Sequence, residues 1–248
     1  MSHCIKIFDL DIEDAIYPEI INKIGEKIRS RETFIFHNIN FYILLSSLND
    51  KQLNNNLKSF DSLYPDGTGV YWASKIIYGR NGLRQRINGT DLYYEILADA
   101  EENGHKCFFF GGSRSASELL KKRLENEYPK LKIAGIIDGD TKIKDMNLEK
   151  IKKSNADILM VGLGTPYQEY WLSGYSKEID IPVQLCIGSG IEFLSGLNKR
   201  APRILIKFGL EWLHRLIMEP KRLWKRYIIG IPLFTFKVLI IKIKLMFK

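Results

Sequence analysis

The sequence predicts an α/β fold, a three-layer sandwich around a mainly parallel sheet, followed by a basic helical appendage. Three observations carry this. Short apolar runs bounded by Gly, Asp or Pro recur along the chain, helix-like segments lie between them, and the charge balance changes abruptly near residue 200. In order, Ile16, Ile20, Ile24 and Ile28 repeat every four residues and predict a helix over 14–29. Thr33 to His37 reads as a strand and Tyr42 to Leu48 as a helix. Lys106 to Phe110, Lys132 to Ile137, Asp157 to Val161 and Pro182 to Ile187 have the composition of strands buried on both faces. Helices are expected over 90–102, 115–128, 148–154 and 167–175, the second opening on a capping-box spacing of Ser115 and Glu118. Asn54-Asn55-Asn56 reads as a polar turn. Strand-helix alternation of this kind gives a Rossmann-like sandwich over 1–200, with 201–248 as the appendage.

A chain of 248 residues is long enough to bury its own core without disulfides or metals. Cys4, Cys107 and Cys186 lie far apart with no CxxC pair, which excludes a disulfide framework and a zinc finger and points to a reducing compartment. Residues Met1 to Lys6 lack the basic-then-apolar layout of a signal peptide, so a cytoplasmic chain is expected.

The formal charge of +8 hides two unlike parts. From Lys199 onward there are 13 Lys and Arg against only Glu211 and Glu219, a net of +11. The first 198 residues carry 24 basic and 27 acidic side chains, a net of −3. Such asymmetry points to an anionic partner. The longest uncharged run in the last segment, Tyr227 to Phe236, is ten residues, short of the ~20 needed to span a bilayer. Pro232 is expected to interrupt it. Beyond that proline, Lys237, Lys244 and Lys248 share a helical face and Lys242 stands apart, the pattern either of a helix lying on an anionic membrane surface or of a C-terminal helix docked on the core with its lysines in water. The aliphatic and aromatic content, and the lack of a recognised motif, argue against nucleic acid. Removal of residues 229–248 is expected to leave the body folded.

Three glycine loops follow expected strands: Gly111-Gly112-Ser113, Gly162-Leu163-Gly164-Thr165 and Gly188-Ser189-Gly190. In an open parallel sheet such loops gather at one edge, where glycine and free helix N–H groups suit a phosphate. Neither GxG completes a dinucleotide fingerprint and there is no Gly-Lys-Ser/Thr, which disfavours an NAD enzyme or a P-loop NTPase. Pro65-Asp66-Gly67-Thr68-Gly69 is either a plain turn or a carboxylate on a glycine-flexed loop, placed to act as general base. Arg84 and Arg86 precede Asn88-Gly89-Thr90-Asp91, where Thr90 or Asp91 would cap a helix. An arginine there meets a diphosphate bidentately or forms a structural ion pair. Gln168 opens a helix where it can read a base or a sugar hydroxyl, and Trp171 reads as core. His3, His37, His105 and His214 have no ligand spacing, and Asp9-Leu10-Asp11 and Asp138-Gly139-Asp140 read as turns, so no metal is expected.

Taken together and in order, these segments resemble the WecG/TagA/CpsF glycosyltransferases, glycosyltransferase family 26. The resemblance runs through Pro65 to Val70, Arg86 to Leu92, Phe109 to Gly112, Gly162 to Trp171 and Gly188 to Gly190. It closes with Gly196, Arg200-Ala201-Pro202, Gly209-Leu210-Glu211-Trp212, Arg215, Glu219-Pro220, Arg222 and Arg226-Tyr227. It implies an inverting transferase that needs neither metal nor cofactor. The sugar, N-acetylmannosamine or a related hexose such as glucose, moves from a UDP-sugar to a polyprenyl-diphosphate-linked saccharide. The work is done at the inner face of the cell membrane, in making teichoic acid or exopolysaccharide, and self-association is compatible with it. By the same resemblance Asp66 is the base, with Arg86 and Asn40 beside it. Substrate binding falls to Asn38, Gly67, Thr68, Gly111, Gly112, Gly164, Gln168, Gly188 and Gly190. Arg215, Arg222 and Arg226 of the appendage fall near the diphosphate. One departure stands out: relatives usually carry Thr-x-Asn where this chain has Asn38-Ile39-Asn40.

Overall fold

The structure is a computed structural model that describes residues 3–139 and 145–247. Asp140 and Lys248, both part of sequence expectations above, lie outside the described residues. The chain opens with an antiparallel hairpin, β1 (Cys4–Ile7) and β2 (Leu10–Glu13), then α1 (Tyr17–Ser30) and β3 (Phe34–Ile39). Next come α2 (Phe41–Ser47), α3 (Lys51–Lys58), β4 (Ser62–Pro65), α4 (Gly67–Tyr78) and α5 (Gly89–Asn103). The second half alternates regularly: β5 (Lys106–Gly111), α6 (Arg114–Glu127), β6 (Lys132–Ile137), α7 (Asp145–Lys152), β7 (Ile158–Gly162), α8 (Tyr167–Tyr175), β8 (Val183–Cys186) and α9 (Gly190–Leu194). The appendage holds α10 (Arg203–Lys207), α11 (Glu211–Met218), α12 (Pro220–Trp224) and α13 (Gly230–Met246).

Six strands pair in the order β4-β3-β8-β7-β5-β6, every neighbour parallel. Each strand feeds side chains alternately to two cores, as pleating requires. In β5, Phe108 and Phe110 join one core while Cys107 and Phe109 join the other. One core lies under α2, α3, α4, α8 and α13, the other under α1, α5, α6 and α9. The connections after β3 and β8 therefore part at the middle of the sheet, which opens a crevice at the carboxyl ends of these strands.

Several local expectations are corrected. Asn54 to Asn56 are not a turn but lie within α3, whose N-cap Asp50 accepts from Leu53 N–H. Helix α6 is capped by Ser113, which accepts from Ala116 N–H, instead of by Ser115; Glu118 pairs with Arg114. Helix α5 is capped by Asn88, not by Thr90 or Asp91, because the Asn88 side chain reaches the N–H groups of both. Trp171 is core, edge-on to Phe110. Pro232 does not break the last helix. A π turn at Lys225–Ile229 precedes it, and the chain stays helical into α13.

Helix α13 is also not removable without consequence. Phe234 and Val238 are buried, and Phe234 packs edge-on against both Phe8 and Phe41. Lys242, the lysine set apart by spacing, donates to the Ile77 carbonyl of α4 at 3.2 Å. Deleting residues 229–248 would uncover part of the core. A single truncation tests this: Phe234→Ala should cost about 3 kcal/mol of unfolding free energy in urea titration.

Candidate active site

A cleft of about 870 Å³ opens at the carboxyl ends of β3, β4, β7 and β8 and is covered by the appendage. Asp66 stands at its centre, at the turn from β4 into α4. Three backbone contacts fix that turn. The Asp66 N–H donates to Ile39 carbonyl at 2.8 Å, the Gly67 N–H to Ile87 carbonyl at 2.7 Å, and the Gly89 N–H to Asp66 Oδ1 at 2.8 Å. Gly67 is left-handed, with φ of 77°, which a side chain would strain. The Asp66 carboxylate does not cap its own helix, so it stays available to the cleft. Burial raises its pKa, and the Gly89 N–H, the charges of Arg226 and Arg215, and a hydrogen bond from Asn40 act against that rise. Asn40 also caps α2, its Oδ1 accepting from Tyr42 and Ile43 N–H, so its orientation is fixed from both sides.

A second group of side chains sits on the β3–β7–β8 side. Glu169 is fully buried, and its Oε1 accepts from His37 Nε2 at 2.7 Å, Thr165 Oγ1 at 2.7 Å and Gln168 Nε2 at 3.1 Å. Burial works against the charge of Glu169, but these donors, His37 foremost, bring its pKa below the ordinary value. Gln168 Oε1 in turn accepts from Gly188 N–H at 2.9 Å. An N–H can only donate and a carboxylate can only accept, so the Gln168 amide has one allowed orientation. One hydrogen of Nε2 is taken by Glu169 and the other is left for a further acceptor.

The appendage covers the cleft through contacts to the start of α4 and to the loop that leads into α5. Arg86 Nη2 donates to Ile206 carbonyl at 2.8 Å, Thr68 Oγ1 to Gly209 carbonyl at 3.3 Å, and Asn88 Nδ2 to Glu211 at 2.6 Å. Arg215, Arg222 and Arg226 all line the cleft. Arg222 is paired with Glu219 at 2.6 Å. Arg215 lies over the Phe193 ring with one nitrogen on Ser189 Oγ, and Arg226 lies 4.7 Å from the Tyr42 ring centroid. Among the described residues, the buried Nε of each of these last two has no partner. Burial holds the Arg226 pKa below its ordinary value. Unsatisfied guanidinium groups facing an open cleft are suited to an anion.

Asn38, Asn40, Asp66, Gly67, Thr68, Arg86, Gly164, Gln168, Gly188 and Gly190 all line the cleft with the three arginines. Gly111 and Gly112 do not. Their glycine character answers to packing: a Cβ on Gly111 would stand 2.3 Å from the Gly162 carbonyl oxygen, and one on Gly112 2.6 Å from Ile191. Arg84 is likewise occupied elsewhere, by Asp14 and Glu19. Asp9 is held by Lys58 and Asn54, and among the described residues no His, Cys, Asp and Glu cluster could hold a metal ion. Sequence reasoning missed His37, Glu169, Tyr93 and Glu211. Glu169, next to Gln168, and Glu211, within Gly209-Leu210-Glu211-Trp212, carried a local signal; His37 and Tyr93 carried none.

A buried carboxylate, three arginines and a covering basic segment at the open edge of a parallel α/β sheet are the setting of a group-transfer enzyme that handles an anionic ligand. The glycosyl transferase WecG/TagA/CpsF family matches residues 5–247, and the chain belongs to that family of glycosyltransferases. It is 32% identical over 205 residues to a Bacillus subtilis protein, covering 83% of this chain and 78% of the relative. It is 35% identical over 183 residues to one from Bacillus spizizenii, covering 74% and 70%. It is 33% identical over 176 residues to one from Staphylococcus aureus, covering 70% and 66%. Each of these is named N-acetylglucosaminyldiphosphoundecaprenol N-acetyl-beta-D-mannosaminyltransferase.

The Glu169 hub makes a stability prediction. Its folded pKa lies below the unfolded value of about 4.5, so its contribution is present above that value and is lost as pH falls through the folded one. Glu169→Gln should cost about 2 kcal/mol at pH 7 in chemical denaturation. The gap to wild type should narrow at low pH.

Proposed function

We propose that this enzyme transfers N-acetylmannosamine from a UDP-sugar to a polyprenyl-diphosphate-linked N-acetylglucosamine, as a step in assembling a cell-envelope polymer such as teichoic acid. The observation that carries it is a buried, pKa-raised Asp66 sharing one cleft with Arg215 and Arg226, whose Nε atoms have no partner among the described residues. The named relatives supply the two sugars.

The reaction is a direct displacement. Asp66 takes the proton of the acceptor hydroxyl as its oxygen attacks the anomeric carbon from the face opposite the diphosphate. The anomeric C–O bond breaks, and its electron pair leaves with UDP. Negative charge grows on the diphosphate, where Arg215, Arg226 and Arg86 stabilise it in a site shielded from water. A raised pKa makes Asp66 a stronger base than an exposed aspartate. Gln168 presents its N–H to an acceptor atom of the bound sugar. The diphosphate charge is met by arginines and helix N–H groups, with no metal in the scheme.

The acceptor is anchored in lipid, and the appendage suits that. No described helix is long and apolar enough to cross a membrane. Helix α13 instead exposes Leu233, Phe236, Leu239 and Ile243, followed by exposed Phe247, beside Lys237 and Lys244, and exposed Trp72 and Ile229 line the cleft. Apolar side chains among lysines bind an anionic leaflet as a surface helix, each cation adding about 1 kcal/mol. This would hold the protein on the inner face of the cell membrane with the cleft toward the lipid.

Two experiments test the reading. Asp66→Asn should retain UDP binding by calorimetry and lose at least about 100-fold in turnover; near-normal turnover removes Asp66 from the base role. Replacing Phe236, Ile243 and Phe247 together by Ser should release the protein from anionic vesicles in co-sedimentation with its thermal midpoint unchanged. Undiminished binding would place the membrane contact elsewhere.

A further inference from the structure

Asn38 is a polar side chain that the cleft buries without satisfying. It stands on β3 opposite Tyr64 of β4, is 3% exposed, and lines the cleft. Among the described residues neither its Oδ1 nor its Nδ2 has a hydrogen-bond partner. Removing a carboxamide from water without partners is unfavourable, and folded proteins keep such groups where something else completes them. The surroundings show where that is. A Cβ built on Gly89 would stand 3.1 Å from Asn38 Nδ2, 3.2 Å from the Tyr93 hydroxyl and 3.3 Å from Asp66 Oδ1. Three polar atoms from β3, α5 and the β4–α4 turn thus converge on one point, and glycine at 89 leaves room there.

We propose that Asn38 is a specificity-determining residue that grips the acceptor sugar. Its Nδ2–H donates to one ring substituent and its Oδ1 accepts from the neighbouring one, on the pyranose whose attacking hydroxyl meets Asp66. This rests on the transferase reading above. Adjacent hydroxyl or acetamido groups of a pyranose each offer a donor and an acceptor, and the two ends of a carboxamide match such a pair. The donor's diphosphate is met from the appendage side by Arg215 and Arg226, whereas Asn38 shares the β3–β4 wall with the base, so the sugar beside it is the acceptor. A threonine here would offer a single oxygen and serve one substituent, whereas asparagine serves two.

The test measures two quantities on the full chain for wild type, Asn38→Ala and Asn38→Thr. One is calorimetric affinity for a short-chain N-acetylglucosaminyl diphospholipid without donor. The other is steady-state UDP release with UDP-N-acetylmannosamine. Asn38→Ala should weaken acceptor binding and raise acceptor KM about tenfold, with donor KM and thermal midpoint unchanged. Asn38→Thr should fall between. Unchanged acceptor constants, a shift confined to donor KM, or a fall in thermal midpoint that accounts for the loss would each overturn the proposal. If wild type binds the lipid saccharide but releases no UDP, the transferase reading fails while the affinities still decide Asn38; if it does not bind, both fail.

Discussion

The site depends on one constraint, the burial of Asp66 at the turn where β4 becomes α4. The turn is pinned to β3 through Ile39, to the loop before α5 through Ile87, and to the α5 N-terminus through Gly89. A carboxylate removed from water resists ionisation. A base must nevertheless be ionised before it can accept a proton. The protein meets both demands by surrounding Asp66 with one backbone N–H, one amide and two distant cations, none of which forms a close ion pair with it. A direct salt bridge would have lowered its basicity further.

Both cations, Arg215 and Arg226, belong to the appendage, so the surroundings of Asp66 are not supplied by the body alone. The appendage reaches the same loops that position the base: Thr68 follows Asp66, Asn88 precedes Gly89, and Arg86 leads into them. The excess of positive charge is thereby divided. Arg200 pairs with Asp91 and Arg222 with Glu219, while Arg215 and Arg226 keep guanidinium nitrogens unpaired at the cleft. Lysines on α13 lie among exposed aliphatic and aromatic side chains, with Lys242 turned back to α4. On our reading, one segment serves both the diphosphate and the leaflet.

How much of this was legible follows from how local each signal is. Strands β5, β7 and β8 were readable because parallel strands buried on both faces are nearly continuous apolar runs between turn residues; β6 was expected to be buried in the same way but is a half-buried edge strand, apolar enough to be read all the same. Strand β4, Ser62 to Pro65, is four residues with little apolar pattern, and the helix after it starts Gly-Thr-Gly, so both escaped notice. Gly111-Gly112 and Gly188-x-Gly190 look alike in sequence, yet only the second pair lines the cleft, because the first answers to backbone packing against Gly162 and to Ile191. His37 and Glu169 are 132 positions apart, and no spacing rule joins them. The Asn38 replacement was visible from the resemblance, but its lack of partners is a property of the folded cleft alone. Pro232 misled because a π turn upstream lets the helix continue.

The central claim is that a carboxylate of the body is tuned by cations of the appendage. The pH dependence of kcat/KM in wild type and Arg226→Met tests it most directly, since this profile reports the essential base of the free enzyme. The wild-type acid limb should lie above the ordinary aspartate range, because burial raises the Asp66 pKa. In Arg226→Met it should move to still higher pH, because a positive charge favouring the ionised carboxylate is gone. An acid limb at the ordinary aspartate value, or one that stays in place when Arg226 is replaced, would contradict the account.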